Sequence, residues 1–202
     1  MSFFYGPGRN IYATGHVIRT VRLLMRTHGL DVPLSVIARE CGTSRTFLYT
    51  HWKSAGALRT RAMTVEIGYA FDEARRTAPS DGTVPGIVAH LTEVVRVVRR
   101  HPTTAAVARS SPGVFSAAHS AVDGPLVRTA ADRVGDVLHP LAPRGGVLAD
   151  PALRSRTWKI LWVARPAALC PEAVGDQERE DALDDAFGEL VSDLLTPWTP
   201  TD

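Results

Sequence analysis

The sequence predicts an all-α protein. Over its 202 residues, apolar side chains recur mostly at spacings of three and four, the period of a helix buried along one face. Alternating apolar and polar runs, the mark of half-buried strands, are rare, and no internal repeat is present. Gly and Pro punctuate the chain at Gly29, Gly42, "TAPSDGTVPG", Gly124-Pro125 and "APRGGVLAD".

Each segment follows from this pattern. Residues 10–28 form a first expected helix. Ile11, Val17, Ile18, Val21, Leu24 and Met25 share its broad apolar face, and Gly29 ends it. A short helix is expected over 33–41, with Asp31 as its cap, and another over 45–52. A longer helix covers about 56–76. From Val84, the residues Ile87, Val88, Leu91, Val94, Val95 and Val98 make one apolar face that stops at "RRHP". Pro102 suits the first turn of the next helix, which reaches about Arg109 before "SSPG". Residues 114–139 read as one helix interrupted at Gly124-Pro125, or as two. Asp150 is a cap with Pro151 at the first helical position, and the helix it opens runs to about Arg165, where Pro166 intervenes. The last helix, about 176–195, begins with acids, which the positive end of a helix dipole favours.

Bulk properties narrow the function. No run of about 18 apolar residues exists, so no transmembrane helix is expected. The start "MSFFYGPGRN" lacks a signal pattern. Cys41 and Cys170 form no CxxC pair or disulfide framework, as in a reducing, cytoplasmic setting. Net charge is +2, yet residues 1–62 hold nine basic and two acidic residues, a local +7, against −5 for the rest. A basic first quarter on a mildly acidic body suits a polyanionic partner for that quarter.

The stretch "LSVIARECGTSRTFLYTHWK", residues 34–53, gives that partner a form. Ile37, Ala38 and Cys41 line one side of a short helix. Gly42 lets the chain turn with positive φ. Thr43 and Ser44 suit the cap of the next helix, and Phe47 and Leu48 suit its inner side. Arg45, Thr46, Tyr49 and Thr50 then face outward near its start. This is helix-turn-helix spacing, in which the second helix enters the DNA major groove. Arg45 has the fork to read guanine, and Thr46 fits a base edge or thymine methyl. Tyr49, His51 and Lys53 supply phosphate donors.

These residues, with "THGLDV" before them and "KSAGAL" after them, resemble the TetR family of transcriptional regulators. The matching positions are Gly29, Ile37-Ala38, Gly42-Thr43-Ser44, Leu48-Tyr49, His51, Trp52 and Leu58, and the detailed match covers about residues 10–62. Two positions depart from the family pattern. Ala55 stands where a phosphate-binding Lys is frequent, leaving Lys53 as the substitute. Pro33 stands where a hydroxyl cap is frequent, leaving Ser35. The resemblance implies a helix-turn-helix DNA-binding domain at 1–54 and a helical effector-binding and dimerisation domain at 55–202. It implies a homodimer on a palindromic double-stranded operator, with the last two helices of each subunit forming the interface. It also implies a small organic effector that moves the fourth helix, to which the DNA-reading helix connects through residues 52–58. The body, with few charges expected inside it, favours a neutral or weakly polar effector.

The seven His residues show no HxxxH spacing and no pairing with Cys. "EREDALDD" reads as a solvated helix face. Gly6 to Gly8 read as an arm, not a phosphate loop. Neither a metal nor a cofactor is expected. Trp158 and Trp162 lie four apart, suiting core or dimer packing or the wall of a ligand pocket; Val95 and Phe115 are the other candidate wall residues. Leu183, Phe187, Leu190, Val191, Leu194 and Leu195 form an apolar stripe, from which Phe187, Leu190, Val191 and Leu194, with Trp158, are the expected dimer contacts. Three function classes result: a ligand-released repressor, a DNA-binding regulator controlled by a protein partner, and a helical enzyme. No nucleophile–base–orienter set supports the third, so a non-enzyme is expected.

Overall fold

The computed structural model describes residues 7–110, 113, 124–142 and 150–196, and nine α-helices account for most of these described residues. They are α1 (Pro7–His28), α2 (Leu34–Glu40), α3 (Arg45–His51), α4 (Ala55–Thr77), α5 (Val84–Arg100), α6 (Pro102–Ser110), α7 (Pro125–Leu138), α8 (Pro151–Ala168) and α9 (Gln177–Leu195). Two single 3-10 turns, His139–Leu141 and Pro171–Ala173, follow α7 and α8. No strand occurs among the described residues.

The helix ends follow local chemistry. Ser44, Ser54, Thr83, Asp150 and Asp176 each cap a helix by accepting a backbone N–H with the side chain. Asp31 does not cap α2: the capping position is Pro33, which offers no side-chain acceptor. Pro166 does not end α8 either. Lacking an N–H, it removes only the bond to the carbonyl of Trp162 one turn back. Both residues are exposed, so water can take that carbonyl. The helix continues to Ala168 and closes with Leu169 N–H on the Arg165 carbonyl at 2.9 Å.

Two apolar cores divide the chain. The first gathers Val17, Val21 and Met25 of α1, Val32, Ile37 and Ala38 around α2, Leu48 of α3, and Leu58 and Ala62 of α4. The second gathers Phe71 and Ala74 of α4 with the inner faces of α5, α7, α8 and α9. α4 therefore belongs to both. A division after residue 54 leaves Leu58 and Ala62 with the body in sequence, although they complete the first core. α1 also packs along α6. There Gly29 ends α1 at φ 64°, and a Cβ on it would lie 1.9 Å from Ser110 Oγ.

The body has charges inside, contrary to the sequence expectation. "EREDALDD" is only partly a solvated face. Glu180 and Asp184, one turn apart on α9, are buried against Arg96, Arg99 and Arg100 of α5. Arg99 is fully buried. It donates to Asp184 Oδ1 at 2.5 Å and to the Ala167 carbonyl of α8 at 3.0 Å, tying three helices together.

Candidate nucleic-acid interface

α3 is anchored from beneath and bare above. Its cap, Ser44, accepts from Phe47 N–H at 3.0 Å. The preceding turn holds Gly42 at φ 61° and closes with Thr43 N–H on the Ala38 carbonyl at 2.9 Å. Leu48 is buried in the first core, a contact of the kind that contributes about 1.5–3 kcal/mol. Arg45, Thr46, Tyr49 and Thr50 remain exposed on the outer side, with Lys53 exposed just beyond. Arg45, Tyr49 and Lys53 make no side-chain hydrogen bond or ion pair with the other described residues, and their donors face solvent.

The other expected contacts are differently placed. Ser35 is exposed on α2. Thr43 is half-buried in the turn. Thr50 Oγ1 donates to the Thr46 carbonyl at 2.9 Å, so its proton is spent within the helix. His51 is half-buried, its ring 4.2 Å from Phe47 and 5.8 Å from Trp52. Its Nδ1 lies 2.9 Å from the Phe47 carbonyl. A carbonyl only accepts, so Nδ1 carries the proton and Nε2 of the neutral ring is an acceptor.

Beside α3 the structure opens a cleft of about 500 Å³ between α1 and α4, with Arg19, Arg22, Arg61, His51, Trp52 and Tyr69 among its walls. Arg22 pairs with Glu66 at 3.0 Å and lies 4.1 Å over the Tyr69 ring. Arg19 and Arg61 are exposed. The sequence carried their signal only as the +7 of its first quarter. They add exposed positive charge to the walls of this cleft.

A second cavity lies in the body. It holds about 170 Å³ and is walled by α4 (Ile67, Phe71), α5, α7, α8 and Phe187 of α9. Val95 lines it. Trp158 does not: it is half-buried against the second core. Trp162 is 42% exposed, with its ring 4.3 Å from the Arg165 guanidinium, and it too is absent from the cavity wall. Phe115 lies outside the described residues. Neighbours the sequence did not single out, chiefly Phe71, Leu91, Val98, Leu161 and Arg165, complete the wall.

The apolar stripe of α9 is split by packing. Phe187, Val191 and Leu195 are buried in the second core of this chain, where the sequence expected Phe187 and Val191 at a dimer interface. Leu194 is half-buried against the same core, while Leu190 is 49% exposed. Among the described residues no helix is long and apolar enough to cross a membrane. No cluster of His, Cys, Asp or Glu there could hold a metal ion.

An N-terminal helix-turn-helix unit joined through one shared helix to a larger helical body defines the class of fold. Solved structures place that class more closely. The chain superposes on the crystal structure of the TetR family repressor AlkX from Dietzia sp. strain DQ12-45-1b, implicated in biodegradation of n-alkanes. The TM-score is 0.64, over 96% of this chain and 98% of that one, at 15% identity. The chain therefore has a TetR-like fold, a likeness of architecture rather than of sequence. No protein-family model matches the sequence, and neither does any curated protein.

Proposed function

We propose that the protein is a DNA-binding transcriptional regulator that acts as a homodimer on a palindromic operator and is released from it by a small organic ligand. The observation that carries this reading is α3. A hydroxyl-capped helix is fixed by Leu48 and presents Arg45, Thr46 and Tyr49 outward, with Lys53 at its exit. In this reading Arg45 and Thr46 meet base edges, while Tyr49 and Lys53 hold phosphates. Ser35, Arg19 and Arg61 add weaker backbone contacts. A single helix-turn-helix grips little DNA, so two copies related by a two-fold axis are required. Leu190 on α9 is the apolar contact offered to the second copy.

Control by a ligand, rather than by a protein partner, is favoured by the cavity. Ile67 and Phe71 of α4 form part of its wall, and four turns or fewer away Leu58 of the same helix packs in the core that holds Leu48. A ligand that displaces α4 would shift the base of α3. It releases DNA only if it binds the displaced state more tightly; equal affinity for both states shifts nothing. Selection of bound duplexes from a randomised pool tests the reading. A two-fold symmetric site should be enriched, with half-sites centred one helical turn or a multiple of it apart.

A further inference from the structure

α6 is held against α1 at both ends. At its far end Gly29 admits the close approach of Ala106 and Ser110. At its near end His101 is the cap. The His101 carbonyl accepts from Thr104 N–H at 2.9 Å, and its ring Nδ1 accepts from Thr103 N–H at 3.3 Å. A backbone N–H only donates, so Nδ1 is bare and the proton of the neutral ring sits on Nε2. Nε2 lies 3.6 Å from Glu66 Oε2 of α4, the same oxygen that accepts from Arg22 of α1 at 3.0 Å. The other oxygen, Oε1, is buried without a hydrogen bond among the described residues, with Arg26 of α1 3.9 Å away. One carboxylate thus stands between α1 and the cap of α6.

Arg22 and Arg26 face the ring from α1, as Glu66 does from α4. Arg99 and Arg100, which end α5, are engaged by Asp184 and Glu180 of α9. Glu172, on the 3-10 turn that packs on α6, is exposed beside Cys170. Burial, against the pull of Glu66 and with the push of the two arginines, keeps the ring neutral to a lower pH than a free histidine. A second proton changes both of its contacts. Nδ1–H would meet Thr103 N–H donor to donor, so the cap is lost, and the charged ring is drawn to Glu66 Oε2 in competition with Arg22.

We propose that His101 is a proton-operated catch between α6 and α1, which in acid releases the cap of α6, loosens Arg22 from Glu66 and so lowers affinity for DNA. The last clause rests on the reading of α3 as the DNA-reading helix. α1 packs in the same core as Leu48 of α3, so play between α1 and the body reaches α3. A two-fold site requires two such helices held at fixed spacing.

Two measurements on the full chain test the catch, at constant ionic strength from about pH 8 to about pH 5.5, wherever circular dichroism shows the protein folded. In NMR spectra of the free protein, the amides of Thr103, Arg22 and Arg26 should shift with the same midpoint as the His101 ring. In His101→Asn, which keeps a capping side chain but takes up no proton, they should stay still. Glu66→Gln should keep the response of Thr103 and erase that of Arg22. Affinity of the wild type for a selected duplex should fall about fivefold relative to His101→Asn as the ring titrates, at the lower end of coupling between sites. Every other titrating group is common to the two proteins and cancels in that ratio. Arg22 and Arg26 amides that ignore the titration of the ring would overturn the catch. Parallel affinity profiles for the two proteins would overturn its link to DNA. Failure to bind any duplex at any pH would count against the functional reading, while the amide titration still decides the catch. That titration needs only the wild type, so it stands even if a variant fails to fold.

Discussion

Arg99 and Asp184 join α5 to α9 through a buried hydrogen bond of 2.5 Å, with Arg96 on the other carboxylate oxygen at 2.9 Å. A buried pair of this kind adds little net stability compared with well-packed apolar residues, but removing one partner strands a charge. Arg99→Met should therefore destabilise the fold by about 3–5 kcal/mol. The double variant Arg99→Met with Asp184→Leu should recover much of that loss in urea denaturation. A double variant as unstable as the single one would mean that the pair does more than neutralise itself.

A second, partly buried cluster should make stability depend on pH. His101, at the start of α6, faces Glu66 of α4 at 3.6 Å, and Glu66 also meets Arg22 and Arg26 of α1. Burial lowers the His101 pKa; Glu66 opposes that shift, and Arg26 and Arg22 add to it. The folded form therefore takes up its proton at lower pH than the unfolded chain, whose His titrates near 6.5. As pH falls through about 6.5 the unfolded state gains a proton first, and stability declines until the folded pKa is passed. Thermal unfolding from pH 7.5 to 5 should show a smaller decline for His101→Asn than for the wild type.

Leu190 and Val191 are neighbours of opposite exposure, the first half-exposed and the second fully buried. Leu190→Asp should leave a folded chain, because the side chain is exposed, yet sediment as a monomer and lose operator affinity. Phe187→Ala should instead cost about 3–5 kcal/mol of stability, as for a large buried side chain. An unchanged dimer in sedimentation of folded Leu190→Asp would remove this position from the interface.

Gly29 is held by two constraints at once. An Ala there would occupy left-handed backbone, at about 1–2 kcal/mol, and its Cβ would also press on α6. Ser110→Ala should not rescue Gly29→Ala, since the Ala106 carbonyl at 3.0 Å and Ser110 Cβ at 3.1 Å still crowd the position. Because Gly29 sits where the end of α1 packs on α6, the same variant should weaken DNA binding in proportion to the loss of folded protein.

The helices were legible because their signals are local. Ser44, Asp150-Pro151 and the periodic run after Val84 mark helix starts and faces by the chemistry of a few adjacent residues. The exposed side of α3 was legible for the same reason: Arg45 opens the helix just after its Ser44 cap, and Tyr49 lies about a quarter turn from inward Leu48. Pairings between distant segments were not legible. The three-and-four spacing of Arg96, Arg99 and Arg100 matches that of Glu180 and Asp184, but each reads alone as a solvated face until α5 and α9 are known to meet. The division of the α9 stripe into core residues and exposed Leu190 likewise depends on how the helix rotates against α5 and α8.

Binding of duplex DNA by wild-type and Arg45→Ala protein, measured across a selected site and its single-base variants at several salt concentrations, bears most directly on function. Arg45→Ala should lose about 1–3 kcal/mol and relax discrimination at one base pair per half-site. Lys53→Ala should weaken all sequences alike and lower the salt slope by about one unit. No enriched symmetric site, or an Arg45→Ala protein with unchanged affinity and sequence preference, would contradict the assignment of α3 as the element that reads DNA.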